Sequence, residues 1–368
     1  MSEKCDVLVT GTGMFAKRFT NDIALTAPKP IKITIAAREV EEGRQLEWLR
    51  QAGNARAAIA ERPAFFDTTF INWESPESVA ETIAKWDPDV IVHAASVQPS
   101  KVVVDTASEW GRLISIGSFS TTVIIQALLG TRMGKAMALA GSKATFMNCC
   151  YPDVTNAVLK AMGFPVVSGG GNIEILASVF AGELGIRERG PIKVLAHHQN
   201  LKPFRGPAAL RAGTPPPRVW IDGNEIDDVY ERFTRVQLTK GPAIPISGCT
   251  AMPIILAYAG HRDYLGHVTG PYGLIGGYPA TIKNGVLELN LPDGLSREDA
   301  IAWNTHFEEV NGLTVEGGRV VYHGPLRDEL ARHSPELAAG YHVDDFDQVF
   351  ADFVALRGRL EAQKAQAA

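Results

Sequence analysis

"VTGTGMFAKRF", Val9 to Phe19, decides how this chain is read. It holds Gly11-x-Gly13-x-x-Ala16, three small residues at the spacing of a phosphate cradle, but the pattern alone is common. Its flanks settle the matter. Asp6 to Thr10 is a short β run, Met14 to Thr26 reads as a helix, and Pro28-Lys29-Pro30 ends that helix before Ile31, Ile33 and Ile35 take up a strand period of two. The small residues therefore sit between the strand and the helix of a βαβ unit. Gly11 permits the tight turn, Gly13 lets the backbone approach a pyrophosphate, and Ala16 lets helix and strand pack closely. The helix N-terminus supplies N–H groups and a positive dipole for phosphates, so Gly11, Thr12, Gly13, Met14, Phe15 and Ala16 form the expected dinucleotide-binding turn.

The alternation continues with a helix over Glu39 to Ala60, a strand near Thr68 to Asn72, a helix start at Ser75-Pro76 and a buried-looking strand from Asp89 to Ala94. This order is that of an α/β chain with a Rossmann-type doubly wound parallel sheet, expected over residues 1–150. A mixed α+β second domain is expected over residues 151–340, with helices at Asp153 to Met162 and Asn172 to Leu184 and strands at Ile192 to His197 and Arg218 to Ile221. The Pro/Gly-rich stretch from Lys202 to Pro217 reads as an excursion. Phe346, Val349, Phe350, Phe353, Leu356 and Leu360 recur at helical spacing, so residues 341–368 are expected to form a helix that packs back on the domains.

With 368 residues, a net charge of −5 and no long Lys/Arg block, the chain has no electrostatic reason to bind nucleic acid or an anionic membrane. Apolar runs such as Val123 to Leu129 and Ile254 to Tyr258 are too short to span a bilayer, and the Glu3, Lys4, Asp6 start lacks the apolar core of a signal peptide. A cytoplasmic protein with a small-molecule substrate is expected, as a homodimer. Four cysteines without Cys-x-x-Cys or zinc spacing imply reduced thiols and no metal site.

NAD-binding sheets of this kind usually end the second strand in an acid that takes the ribose hydroxyls, whereas here the strand ends Ile35-Ala36-Ala37-Arg38. A guanidinium at that place can pair with a 2′-phosphate, so NADP (NADPH) is expected over NAD, unless Arg38 is only a solvated start to the next helix. The glycine turn followed by a strand closing in Ala-Ala-Arg resembles the saccharopine dehydrogenase-like NAD(P)-binding oxidoreductases over about the first hundred residues. That resemblance implies that the loop Ala94 to Pro99 runs beside the nicotinamide, with Ala95, Ser96 and Gln98 in the cofactor site. Short-chain dehydrogenases need a Tyr-x-x-x-Lys pair, which the chain lacks.

"FMNCCYPDV" places Cys149, Cys150 and Tyr151 at a strand end before a helix, where a thiol feels the helix N-terminus. The segment is similar to the Gly-Cys-Tyr-Pro stretch of N-acetyl-glutamyl-phosphate reductases, which implies a thioester role for Cys150; buried structural thiols are the alternative. Gly169-Gly170-Gly171 followed by Asn172 is a bare turn before a helix, suited to a substrate carboxylate at Gly170 and Asn172 or to a plain turn, with Glu174 as a dipole-matching charge. His197 and His198 end a strand and are expected on opposite faces, His198 ahead of His197 as acid/base, with Lys202 and Arg205 near enough to hold an anion. Gly266 to Ala280, with His267, Tyr272 and Tyr278, reads as a substrate-facing loop or a connection between strands; Tyr272 is a candidate substrate contact, and Tyr151 a further acid/base candidate.

An NADP-dependent oxidoreductase acting on a carbonyl or imine of a small carboxylate-bearing metabolite follows. The alternatives are a Cys150-dependent semialdehyde dehydrogenase and a non-catalytic NADP-binding sensor.

Overall fold

Six parallel strands carry the fold in the computed structural model, which describes residues 4–98, 107–241 and 243–364. They are β1 (Val7–Thr10), β2 (Ile31–Ala37), β3 (Ala64–Phe70), β4 (Val90–His93), β5 (Thr145–Asn148) and β6 (Val166–Ser168). Their order, β3-β2-β1-β4-β5-β6, is that of a dinucleotide-binding doubly wound sheet. Val9 faces Ile35 on one side and Val92 on the other, so the order reverses between β1 and β4. A crevice for a ligand opens there, outside the carboxyl ends. Because β1 and β4 are covered on both faces, Val7 to Val9 and Val90 to Val92 read as continuous apolar runs, whereas β2 keeps Lys32 exposed near its start.

β3 begins four residues before the expected strand near Thr68. It is an edge strand, with Ala64 and Phe66 turned into the core and Phe65 and Phe70 exposed, so its outer face carries no clear alternation. The run Val123 to Leu129 lies in the buried helix Val123–Leu139, and Ile254 to Tyr258 lies in helix Ile244–Tyr258, which packs on helix Met14–Thr26. Among the described residues no helix is long and apolar enough to cross a membrane.

Beyond β6 the chain builds three antiparallel sheets. The first joins β7 (Ile192–Leu195), β8 (Arg218–Ile221) and β9 (Asn224–Ile226); the second β10 (Tyr264–Thr269), β11 (Gly277–Lys283) and β12 (Val286–Leu289); the third β13 (Leu313–Glu316), β14 (Arg319–Tyr322) and β15 (Tyr341–His342). Bridges from Gly169 to Thr269 and from Ala196 to Gly277 tie these sheets to the parallel one and to each other. The Gly266–Ala280 segment is thus largely a hairpin, not an open loop. Lys202 to Pro217 takes in the end of the 3-10 turn His198–Phe204 and the 3-10 turn Ala208–Arg211, with Phe204 and Arg211 buried. The last helix, Phe346–Glu361, lays Phe353, Leu356 and Leu360 against helices Val123–Leu139 and Glu109–Gly117 of the parallel-sheet unit.

Candidate functional site

At the end of β1 the two glycines have different reasons to be glycine. Gly11 has φ +101°, and a Cβ there would come within 2.8 Å of the Ala94 carbonyl, so only a bare backbone passes the end of β4. Gly13 has φ −66°, ψ 171° and nothing within 4 Å of a Cβ position. Its missing side chain leaves room that the protein itself does not use. That room faces the start of helix Met14–Thr26, which has no side-chain cap and no acid in its first turn. A pyrophosphate fits this cradle. Thr12 and Ala16 are buried, Met14 is exposed, and Phe15 stacks edge-on with Phe19. Arg38 is exposed at the end of β2 and opens helix Glu39–Ile59, whose Gln45 donates to the Thr12 carbonyl at 3.0 Å.

After β4, Ser96 Oγ donates to Gln126 Oε1 at 2.6 Å and accepts the Gln98 backbone N–H at 3.1 Å. Gln98 is only 2% exposed, yet neither polar atom of its side-chain amide has a hydrogen-bond partner among the described residues. Buried amides are almost always satisfied, so a polar group of a ligand suits this place. Pro99 lies outside the described residues.

Beside this loop the β5 end supplies Cys150, whose thiol donates to the Ala95 carbonyl at 3.0 Å. Burial pushes the Cys149 thiol up to about 12 and Cys150 higher still. Burial thus works against the thiolate that proximity to the helix Pro152–Ala161 would favour. Tyr151, the N-cap of that helix, sits at φ 50°, ψ 59°, a left-handed conformation that costs a bulky residue about 1–2 kcal/mol. It points its hydroxyl to 3.0 Å from a ring nitrogen of His198 and 3.4 Å from Ser120 Oγ. Burial holds the Tyr151 phenol well above its ordinary value and His198 well below its own.

The two histidines do not diverge onto opposite faces. β7 stops at Leu195, His197 caps a 3-10 turn, and the rings lie 4.1 Å apart. His197 Nδ1 accepts the Gln199 N–H at 3.4 Å, and its Nε2 lies 3.0 Å from Glu308 Oε1, off the line of an ideal hydrogen bond. The other carboxylate oxygen of Glu308 accepts from Ser120 Oγ at 2.7 Å and from the Leu313 N–H at 2.8 Å. Donor atoms of His197, His198 and Glu308 lie within 4.8 Å of one another, a spacing that could hold a cation. However, an Nδ1 that accepts an amide proton leaves the ring proton on Nε2, so this nitrogen presents a metal with an N–H rather than a lone pair, and that N–H is not aligned for a hydrogen bond to Glu308 Oε1.

Asp153 completes the cluster. Asn172, at φ 35°, ψ −90°, donates to its carboxylate, the backbone N–H of His198 adds a second donor, and burial still raises its pKa to about 7. Arg205 is half-buried, donates to the carbonyls of Thr239 and Gly241, meets no carboxylate among the described residues and acts electrostatically on His198. Lys202 is exposed on the 3-10 turn. Gly170 is packed against Met147 and Ala251, so its bareness serves the protein core. Tyr272 turns its hydroxyl to the Leu287 carbonyl on β12, 2.8 Å away. His267 is held between Glu174 Oε2 at 2.7 Å and the Val194 N–H at 2.9 Å, with Arg189 on the other Glu174 oxygen. Both its nitrogens are engaged, and Glu174 is a buried ion-pair member instead of a surface dipole charge.

Sequence reasoning missed Ser120 and Glu308. The face Ala300, Asn304, Phe307 and Glu308 of helix Arg297–Asn311 is buried at helical spacing, and that stripe was the available signal for Glu308. Nothing local marked Ser120.

No family model and no curated protein sequence matches the chain. Solved structures do. Lactate dehydrogenase from Eimeria maxima with NADH and oxamate superposes with a TM-score of 0.52 at 14% identity, covering 83% of this chain and 92% of that one. Lactate dehydrogenase from Cryptosporidium parvum complexed with lactic acid and nicotinamide adenine dinucleotide gives 0.52 at 13%, covering 96% and 99%. Malate dehydrogenase from Aeropyrum pernix gives 0.50 at 14%, covering 82% and 95%. At these identities the likeness is one of fold: a parallel dinucleotide-type sheet followed by a unit of antiparallel sheets.

Proposed function

We propose that the chain is a nicotinamide-dinucleotide-dependent oxidoreductase that interconverts an alcohol or amine with the carbonyl or imine of a small carboxylate-bearing metabolite. The observation that carries this reading is the open space in front of Gly13, at an uncapped helix start beside the point where the strand order reverses. The Gln98 amide, buried in the next loop without partners among the described residues, supports a ligand there. In this reading residues 1–150 hold the dinucleotide and residues 151–340 the substrate, with β6 of the second stretch completing the parallel sheet. The dinucleotide supplies or takes the hydride when bound. Arg38 takes the 2′-phosphate, so NADP is preferred, as the likeness to saccharopine dehydrogenase-like strand ends also suggests. The two lactate dehydrogenases of similar fold were solved with NADH or NAD and a small carboxylate, which supports a small acid as substrate and makes the cofactor choice worth measuring.

Tyr151 and His198 hold and move the proton, their neutral forms favoured by burial. Arg205, short of an anionic partner and near His198, binds the substrate carboxylate. The raised thiol of Cys150 speaks against a thioester route.

A panel of small 2-oxo and 2-hydroxy acids and imines, followed by reduced-cofactor absorbance with NADP(H) and NAD(H), tests the reading. His198→Asn is expected to lower turnover by roughly a hundred- to ten-thousandfold with cofactor affinity unchanged. Near-normal turnover would move the proton elsewhere. Arg38→Ala is expected to weaken NADPH by about ten- to a hundredfold and to spare NADH. Equal losses for both cofactors would remove Arg38 from the 2′-phosphate.

A further inference from the structure

We propose that Glu308 is the positioning carboxylate of the proton-handling pair, setting its charge beside the Nε2 side of His197, whose tautomer the Gln199 N–H fixes, and supplying the counter-charge for the imidazolium that His198 becomes when it takes a proton. The inference rests on the oxidoreductase reading for its catalytic half and on geometry alone for its His197 half.

The chain is built around this carboxylate. A Cβ on Gly312 would lie 1.9 Å from Glu308 Oε2, so that glycine leaves the space the carboxylate fills. Ser120 Oγ and the Leu313 N–H are aimed at the same oxygen, which leaves Oε1 facing His197 Nε2. Phe307, the preceding residue, lies parallel to the His197 ring at 5.2 Å and keeps it flat against the helix. Burial pushes the Glu308 carboxyl above its ordinary value, and a charged His198, the Ser120 hydroxyl and the Leu313 N–H each pull it down, so the carboxylate and the imidazolium favour one another. Ser120 Oγ also lies 3.4 Å from the Tyr151 hydroxyl, so Glu308, Ser120, Tyr151 and His198 line up as one path of contacts from four distant parts of the chain, in which the Ser120 proton goes to Glu308 and the Tyr151 proton to His198.

The titratable and charged groups facing this path are Tyr151 and Asp153 from the β5 end, His197 and Arg205 around the 3-10 turn, and His323 beyond β14. Arg205 and His197 disfavour a proton on His198, and Glu308 is the charge that favours it. In the oxidation direction the substrate hydroxyl proton passes to the Tyr151 oxygen as the Tyr151 proton passes to His198. The substrate carbon loses its hydrogen with the electron pair to the oxidised dinucleotide, leaving carbonyl, reduced dinucleotide and imidazolium, which later releases its proton to solvent.

The test uses the full chain with ring-¹⁵N-labelled histidines and the variants Glu308→Gln, Glu308→Asp and, should the first not fold, Ser120→Ala. Wild-type spectra are expected to show His197 protonated at Nε2, with that signal displaced in Glu308→Gln. Turnover in Glu308→Gln is expected to fall by roughly ten- to a hundredfold with KM held within about twofold, and the acidic limb of the oxidation pH profile to move to lower pH. Glu308→Asp should restore the limb in part, which a merely structural role would not do. A His197 proton on Nδ1 in the wild type, or an unchanged limb and kcat in a folded Glu308→Gln, overturns the inference. An Nε2 proton displaced by the variant, in a chain with no turnover on any acid or imine, supports the positioning geometry and overturns the oxidoreductase reading instead.

Discussion

Gly11 and Gly13 are two residues apart and do different work. Gly11→Ala forces a side chain into left-handed backbone and against the Ala94 carbonyl, so it should destabilise the fold measurably, by about 1 kcal/mol or more. Gly13→Val should leave the melting temperature within a degree or two and abolish the stabilisation that saturating NADPH gives, which at a hundred times Kd is about 2.7 kcal/mol. Thermal melts of both variants with and without cofactor check the pair: a Gly13→Val chain still stabilised by NADPH would remove the cradle. The motif spacing was legible in the sequence, but the difference between the two roles was not, because it depends on what the backbone of another strand places beside each glycine. Cys150 makes the same point in reverse. Its place before a helix left a thioester nucleophile and a buried structural thiol both open, and burial, which depends on distant segments, pushes the thiol up.

At the scale of elements, what failed in the sequence was where regular structure stops. His197 and His198 would point apart if β7 ran through them, but the strand ends at Leu195 and a turn brings the rings side by side. Asn200 causes this, since its side chain takes the His197 N–H at 2.8 Å and closes the turn. The C-terminal helix was the easiest element to read, because its apolar stripe is long and regular. Phe353 is 1% exposed beneath it, so Phe353→Ala should cost about 3–5 kcal/mol in denaturant unfolding. A loss below 1 kcal/mol would mean that the helix does not hold the parallel-sheet unit.

Across the whole molecule, Asp153 joins the β5 end, the turn after β6 and the first residues beyond β7. Its carboxyl is raised by burial from an ordinary 3.8 to about 7. Between those values the folded chain keeps a proton that the unfolded chain has lost, so this group lowers stability as pH rises through the window. His93 and His197, held down to about 3 by burial, act oppositely, since the unfolded chain binds their protons up to about pH 6.5 and folding gains as pH rises. Asp153→Asn isolates the first effect. Relative to wild type, the variant should gain on the order of 2–4 kcal/mol between pH 4 and pH 8 in denaturant unfolding. A difference that stays constant with pH would show that Asp153 is ionised in the folded chain.

The sequence by itself determined the parallel α/β order, the glycine turn and the amphipathic last helix, because strand period, helix period and turn chemistry are local properties that residues carry in any context. Cys150, Tyr151, His197 and His198 were visible as candidates for the same reason. Only the tertiary structure decided which candidates meet: Tyr151 with His198 and Ser120, and Glu308 with Ser120 and near His198, far apart in the chain. Tertiary packing also decided that His267 is locked between Glu174 and Val194, and that the Cys150 thiol is buried against the Ala95 carbonyl. Proton affinity and partnership depend on desolvation and on the angle between groups from distant segments, and neither is encoded in any short stretch of residues.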